Sequence, residues 1–575
     1  MKQRITYLVP QGHGIDPASI QTSNDTLTFA DAKDAAVEKR VTAGLSELPA
    51  ELVTVLQDVH ELHIRWSSRL NYAAPSPFTS RLPPGLHVFF TPRKANADVN
   101  ICPLLKQLFS PDLKCDSVAH SFSSPPILSE RFSHSSSYQY FHPLARLLHF
   151  QTFLARTLCG KFKGLCVNEA AALSYASYVD IDFDAISHAV TLTAFWREGI
   201  EAGAARTVAR KWRGGDSLEV GILQSEVADE VEEVKMGGYL TVVGEEDGEP
   251  GPTLFSFPSR HHALSPQNST SNTNSTPPTS PTFSAHFQHP PGLHPNLAIT
   301  FPHPQHLAPP KDSCALHAYL TLPSALFIDR YQLADPLFLA SHNLVALHSL
   351  SGEQDLEAPD WVIKRWGSAA LLELATPPPS TITTTNASSG PADEWTVTIP
   401  THLRYLQAPS ANTNTTTTPT PNTPHTNTNT TSAGRVSLEI PHPSLFWACE
   451  AQEGLKMSVN PFDRVNLGYD GLFGPKTMFY HIPPTALDAD GGRNVLVERL
   501  EVPVLEPGAG AKWGVQVGTL VAVGVGFGWV LWVLFGGKAG AGRRGKGAGV
   551  GVAQKTKKEG GEVVQEKKAD RVKGQ

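Results

Sequence analysis

The chain has 575 residues, 40% of them hydrophobic, with a formal net charge of −7, enough by length for two to four domains. That charge is unevenly spread: residues 536–575 hold eleven Lys and Arg against four Asp and Glu, leaving −14 for the rest. An acidic body with no basic stripe argues against nucleic acid as a partner.

The N-terminus, MKQRITYLVPQGHG, has no apolar h-region, so no cleaved signal peptide is expected. Ser46 to Val59 spaces Leu48, Leu52, Val55, Leu56 and Val59 as an amphipathic helix, with Ser46 as cap and Pro49 early. Leu62, Ile64 and Trp66 then alternate with His63 and Arg65, and Leu86 to Phe90 is a second apolar run; both read as strands. His60, His63 and His87 lack compact ligand spacing and read as polar positions on strands or loops.

Pro143 to Leu158 repeats the helical pattern up to a stop at Gly160. Val179, Ile181 and Phe183 alternate with Asp180, Asp182 and Asp184, and Val190, Leu192, Ala194 and Trp196 follow, giving two strands. The Asp182-Phe183-Asp184 triplet also resembles the Asp-x-Asp of nucleotide-sugar transferases, where paired carboxylates hold a divalent metal. Alternation accounts for these aspartates as the wet face of a strand, so no metal or cofactor is expected.

Leu218 to Ile222 and Tyr239 to Val243 continue the strands up to an acidic turn at Glu245 to Glu249. From 261 to 310 Pro, Ser, Thr, Asn and His dominate, which reads as a low-complexity linker. Similar inserts cover 376–393 and 408–434, and short extended segments lie around them at Leu316 to Leu322, Phe327 to Leu333, Trp395 to Ile399, Val436 to Ile440 and Leu445 to Cys449. The fold class expected is a mainly β region, a β-sandwich with a few helices in its N-terminal part, divided into 1–260 and 311–505. No nucleophile elbow, P-loop or zincin motif is present, so no catalytic residue is assigned. Six cysteines precede residue 450 without Cys-x-x-Cys spacing, and their fifteen possible pairings stay open.

Gly514 to Phe535 runs 22 residues without a formal charge, which at 1.5 Å per residue covers roughly 30 Å, the thickness of a bilayer core. Lys538, Arg543, Arg544, Lys546 and Lys555 follow this transmembrane helix within 20 residues, against Arg499 and Lys512 before it. The positive-inside rule then puts the tail in the cytosol and residues 1–513 in a lumen or outside the cell. Acceptor tripeptides for N-glycosylation at Asn268, Asn274, Asn386, Asn414 and Asn429 all fall on that side. Gly514, Gly518, Ala522 and Gly526 recur every four residues and form a candidate stripe for docking a second helix.

Four strings are more specific than periodicity explains: DLEAPDWVIKRWGS at 355–368, IPTHLRYLQAP at 399–409, IPHPSLFWACE at 440–450 and NPFDRVNLGYDGLFGPKTMFYHI at 460–482. Through His402, Leu403, Arg404, Tyr405, Pro443, Phe446, Trp447 and Cys449 the chain resembles the fungal branch of the PIG-X family, accessory subunits of GPI mannosyltransferase I. The resemblance implies a single-pass glycoprotein of the endoplasmic reticulum, without a signal peptide or assigned catalytic residues. Its implied role is to stabilise a multi-spanning catalytic subunit of the PIG-M type, which adds the first mannose to the GPI precursor. Two other readings stand beside it: a lumenal folding factor for several proteins, and a glycosyltransferase using Asp182 and Asp184. Physically, Arg404 is expected on the polar face of a strand, Phe446 and Trp447 in a core, and Gly468, Gly471 and Gly474 in tight turns.

Overall fold

A computed structural model describes the chain except for residues 11, 13, 30–33, 95–98, 127–136, 160–162, 198–205, 210–216, 245–248, 265–279, 379–393, 408–434, 456, 458–459, 464–467, 486–494, 505–508 and 536–575. Residues Met1–Leu505 form one unit and Glu506–Gln575 another. The first is mostly β, as its alternating segments require, with few helices; the second contributes one helix, Ala509–Phe535.

A ten-stranded sheet is built from Lys2–Val9, Ala36–Gly44, Val59–Ser67, Gly85–Pro92, Tyr138–His142, Tyr178–Asp184, Ala189–Trp196, Ser217–Glu226, Glu233–Val243 and Gly251–Pro258. Its neighbours run antiparallel except Lys2–Val9 beside Ser217–Glu226, which are parallel. A six-stranded sheet is ordered His261–Ala263, Thr477–Ile482, Ser444–Glu450, Ala315–Pro323, Gly367–Leu374 and Leu344–Gly352.

Period-2 alternation gives this second sheet two buried faces. Leu316, Leu320, Leu372, Leu445 and Trp447 enter an apolar cluster shared with Phe287, Leu297, Ile299, Val397, Ile440 and Leu500 of the smaller sheets. Tyr319, Leu371, Phe446 and Phe479 point the other way, into a cluster with Ile64, Trp66, Val88 and Phe90 of the ten-stranded sheet. The six-stranded sheet is therefore the middle layer of the body.

Several local expectations shift. The first helix is Ala50–Gln57 with Pro49 at its cap, and Val59 already opens the next strand. The second begins at Leu148 rather than Pro143 and runs as a π-helix from Leu154 to Leu158, while Gly160 lies outside the described residues. The stretch 261–310, read as a linker, carries strands at His261–Ala263, Ser284–Phe287 and Asn296–Phe301. Phe283, Ala285, Phe287, Leu297, Ile299 and Phe301 are buried there, an alternation that its polar composition masks.

Disulfides join Cys102 to Cys115, Cys159 to Cys166, and Cys314 to Cys449. The last ties the strand Ala315–Pro323 to Ser444–Glu450 beside it. Gly468 holds a φ of 59°, and a Cβ there would meet Leu82 Cδ2 at 2.8 Å, so that turn requires glycine.

Candidate functional site

The HLRY string does not lie along a regular strand. His402 and Leu403 pair briefly with Phe327 and Leu326, and the strand ends there. Arg404 is buried at 4% exposure, not presented on a polar strand face. Its guanidinium donates from Nε to the Ser324 carbonyl at 3.0 Å, and from Nη1 to the carbonyls of Asp355 and, at 2.9 Å, Ala358. It also lies 4.5 Å over the Phe327 ring. A fork of fixed donors can hold several carbonyls of one loop at once, which explains why this charge goes inward. Burial lowers its pKa, with the opposite pull coming from Glu353, Asp355 and Asp360.

Several large apolar side chains near this anchor are exposed, between exposed Asp355, Glu357, Lys364 and Arg365. Tyr405 is 69% exposed, Trp361 56% and Val362 57%, with Leu356, Tyr331 and Leu293 also open. Backbone bonds fix them to the motif: Asp360 N–H donates to the Tyr405 carbonyl at 3.1 Å and Leu403 N–H to the Leu293 carbonyl at 2.9 Å. His402 pairs through Nε2 with Gln332 at 2.9 Å and through Nδ1 with His294 Nδ1 at 2.8 Å. Rigid aromatic rings held on a fixed loop lose little freedom on contact, which is the character of an interface hot spot.

The second family string is core. Pro443, Phe446, Trp447 and Cys449 are all buried, Phe446 stacking on Tyr469 at 4.2 Å between centroids. Adjacent residues on this strand serve opposite faces, so Phe446 and Trp447 fix both clusters in register.

The aspartates of the strand Tyr178–Asp184 take three different jobs. Asp180 is buried and receives Arg65 through Nε and Nη2, both at 2.6 Å, with Tyr178 under the guanidinium. Asp182 Oδ1 lies 2.8 Å from His63 Nδ1. Burial pulls the His63 pKa down, but the hydrogen bond and charge of Asp182 outweigh it and leave it raised. Asp184 accepts from the amides of Ile186 at 2.9 Å and Ser187 at 3.4 Å in the following turn. The wet-face account therefore needs correction at Asp180, where a buried ion pair replaces solvent. His87 is also buried, with Nε2 2.7 Å from the Pro83 carbonyl, and burial pushes its pKa down to about 4.

Trp513–Phe535 is long and apolar enough to cross a membrane, the one such helix among the described residues. Gly514, Gly518, Ala522 and Gly526 are exposed on it, and a Cβ at Gly514, Gly518 or Gly526 would meet open space. Asn268, Asn274, Asn386, Asn414 and Asn429 all lie outside the described residues.

Residues 290–535 match the PIG-X / PBN1 family. Protein pbn1 of Emericella nidulans is 43% identical over 551 residues, covering 93% of this chain and 95% of the relative. The chain belongs to the PIG-X / PBN1 family. Protein pbn1 of Neurospora crassa is 38% identical over 547 residues, covering 93% and 95% of the two chains. A more distant relative, protein PBN1 of Saccharomyces cerevisiae, is 27% identical over 293 residues, 50% of this chain and 54% of that one. Family membership supports a role related to GPI-anchor biosynthesis, and the apolar C-terminal helix supports a single-pass membrane protein. The exposed rim at Trp361 and Val362 was written in the 355–368 string, but its signal, apolar residues beside Pro359 with no partner strand, is visible only once Arg404 is seen to hold that loop.

Proposed function

We propose that this chain is a non-catalytic subunit in the endoplasmic reticulum membrane that stabilises the multi-spanning, PIG-M-type mannosyltransferase adding the first mannose to the GPI precursor. Membership in the PIG-X / PBN1 family over nearly the whole chain carries this reading. In it, residues 1–513 are lumenal and glycosylated, the tail is cytosolic, and the Trp361, Val362 and Tyr405 rim meets the enzyme's lumenal loops. A subunit that binds the folded enzyme but not its unfolded form raises the enzyme's abundance by mass action.

The transferase alternative is disfavoured by how Asp182 and Asp184 are engaged, one with an imidazole and one with turn amides. Depleting this protein is expected to lower the amount of the mannosyltransferase, read by immunoblot. Asp182→Ala combined with Asp184→Ala is expected to leave GPI mannosylation intact. Lost mannosylation in that double variant, at unchanged transferase level, would contradict the reading.

A further inference from the structure

The middle sheet carries a second cluster whose three members lie outside the family strings and outside the Trp361 and Tyr405 rim. His317 on the strand Ala315–Pro323 stands directly opposite Glu373 on Gly367–Leu374, and His348 comes from the edge strand Leu344–Gly352. A register shift between Leu347 and Ser349 leaves His348 as the extra residue of a bulge opposite Leu371 and Leu372, from which its side chain reaches Glu373. One ligand atom from each of the three lies within 4.8 Å of the other two.

We propose that His317, His348 and Glu373 form a binding site for a late first-row divalent cation, zinc by class. Two imidazoles and a carboxylate are a zinc donor set, whereas calcium and magnesium take oxygen ligands. The outer partner of the buried imidazole is already in place. His317 Nδ1 lies 2.9 Å from the Ala315 carbonyl, which takes a proton there and leaves the Nε2 lone pair free to coordinate. Phe446, stacked parallel at 5.9 Å, and Phe473, edge-on at 5.2 Å, fix the plane of that ring.

His348 Nε2 donates to Glu373 Oε2 at 2.6 Å. Ligand atoms around a tetrahedral zinc stand about 3.3 Å apart, so binding opens this pair and draws the group together around the ion. Coordination through His348 Nε2 places its proton on Nδ1 by exchange with water, so the imidazole stays neutral, and the side chains of His348 and Glu373, 39% and 24% exposed, give the ion its entry path and a water-filled fourth position. The ion would then join three neighbouring strands, including the edge strand that is otherwise held from one side in this sheet.

The test is zinc titration of the full chain in detergent after chelator treatment, by competition with a chromophoric chelator, alongside thermal melting. One tight equivalent is expected, raising the melting temperature and unaffected by excess calcium or magnesium. His348→Ala, a half-exposed position that leaves folding intact, is expected to weaken binding about 100-fold and abolish the zinc-dependent rise, and Glu373→Gln to weaken it by at least about 10-fold. Zinc uptake that survives His348→Ala unchanged belongs to other surface histidines and overturns the proposal. So does a wild-type chain that takes up none.

Discussion

Arg65 and Arg404 are both buried guanidiniums placed over an aromatic ring, yet they do opposite things for the molecule. Arg65 meets a carboxylate, Asp180, in the interior and joins two strands of the ten-stranded sheet. Arg404 meets main-chain carbonyls of a loop and brings exposed Trp361 and Tyr405 to one place. A charge paired with a charge inside the core fixes the body; a charge spent on a loop's carbonyls shapes a surface. Stability and recognition should therefore separate by mutation.

The largest effect is expected at the first arginine. Asp180→Ala leaves Arg65 buried without its counter-charge and should cost about 3–5 kcal/mol, read as a loss of cooperative unfolding or rapid proteolysis of the body. An equally soluble, protease-resistant variant would show that the pair is dispensable.

Acid should act on the same region. His87 and His481 are buried and neutral, with pKa values pushed down to about 4 and about 3 by burial and, secondarily, by nearby groups that include Arg65. Because the folded values lie below the unfolded value near 6.5, their contribution is intact above about pH 6.5 and is lost as pH falls toward the folded pKa. Each such histidine contributes a slope of about 1.4 kcal/mol per pH unit in that window. Melting temperatures should hold between about pH 7.5 and 6.5 and fall from there to about pH 5; a flat profile below about pH 6.5 would mean that these rings are not buried in solution.

At the second arginine the cost is smaller. Arg404→Ala removes three carbonyl contacts and the stacking on Phe327, for about 1–3 kcal/mol, and should free the 355–360 loop to faster amide exchange. Arg404→Lys should recover little of this, since an ammonium cannot reproduce the fork. Full rescue by lysine would mean that charge alone, not its geometry, holds the loop.

The contrast also marks what the sequence conveys. The strand Tyr178–Asp184 was legible from alternation, because a half-buried strand writes its period into the chain. That Asp180 is dry and Asp184 serves a turn was not, because partners such as Arg65 lie far away in sequence and only the folded sheet brings them together. The burial of Phe446 and Trp447 followed from side-chain size alone. Arg404 misled, since an arginine between Leu403 and Tyr405 looks like an outward strand position, whereas the strand ends at Leu403 and the side chain is buried. The histidines told least: His317, His348 and Glu373 have no local spacing, and a sheet register with a bulge assembles them.

The smallest effect on stability is expected where the effect on association is greatest. Trp361→Ala with Tyr405→Ala removes exposed rings and should change folding stability by no more than about 0.5 kcal/mol. In a detergent pull-down of the tagged full chain, the wild type is expected to recover the proposed mannosyltransferase partner, and the same double variant at least about tenfold less of it. Unchanged recovery of the enzyme by the folded double variant, with Gly518→Leu and Ala522→Leu abolishing it instead, would contradict the account and move recognition to the membrane helix.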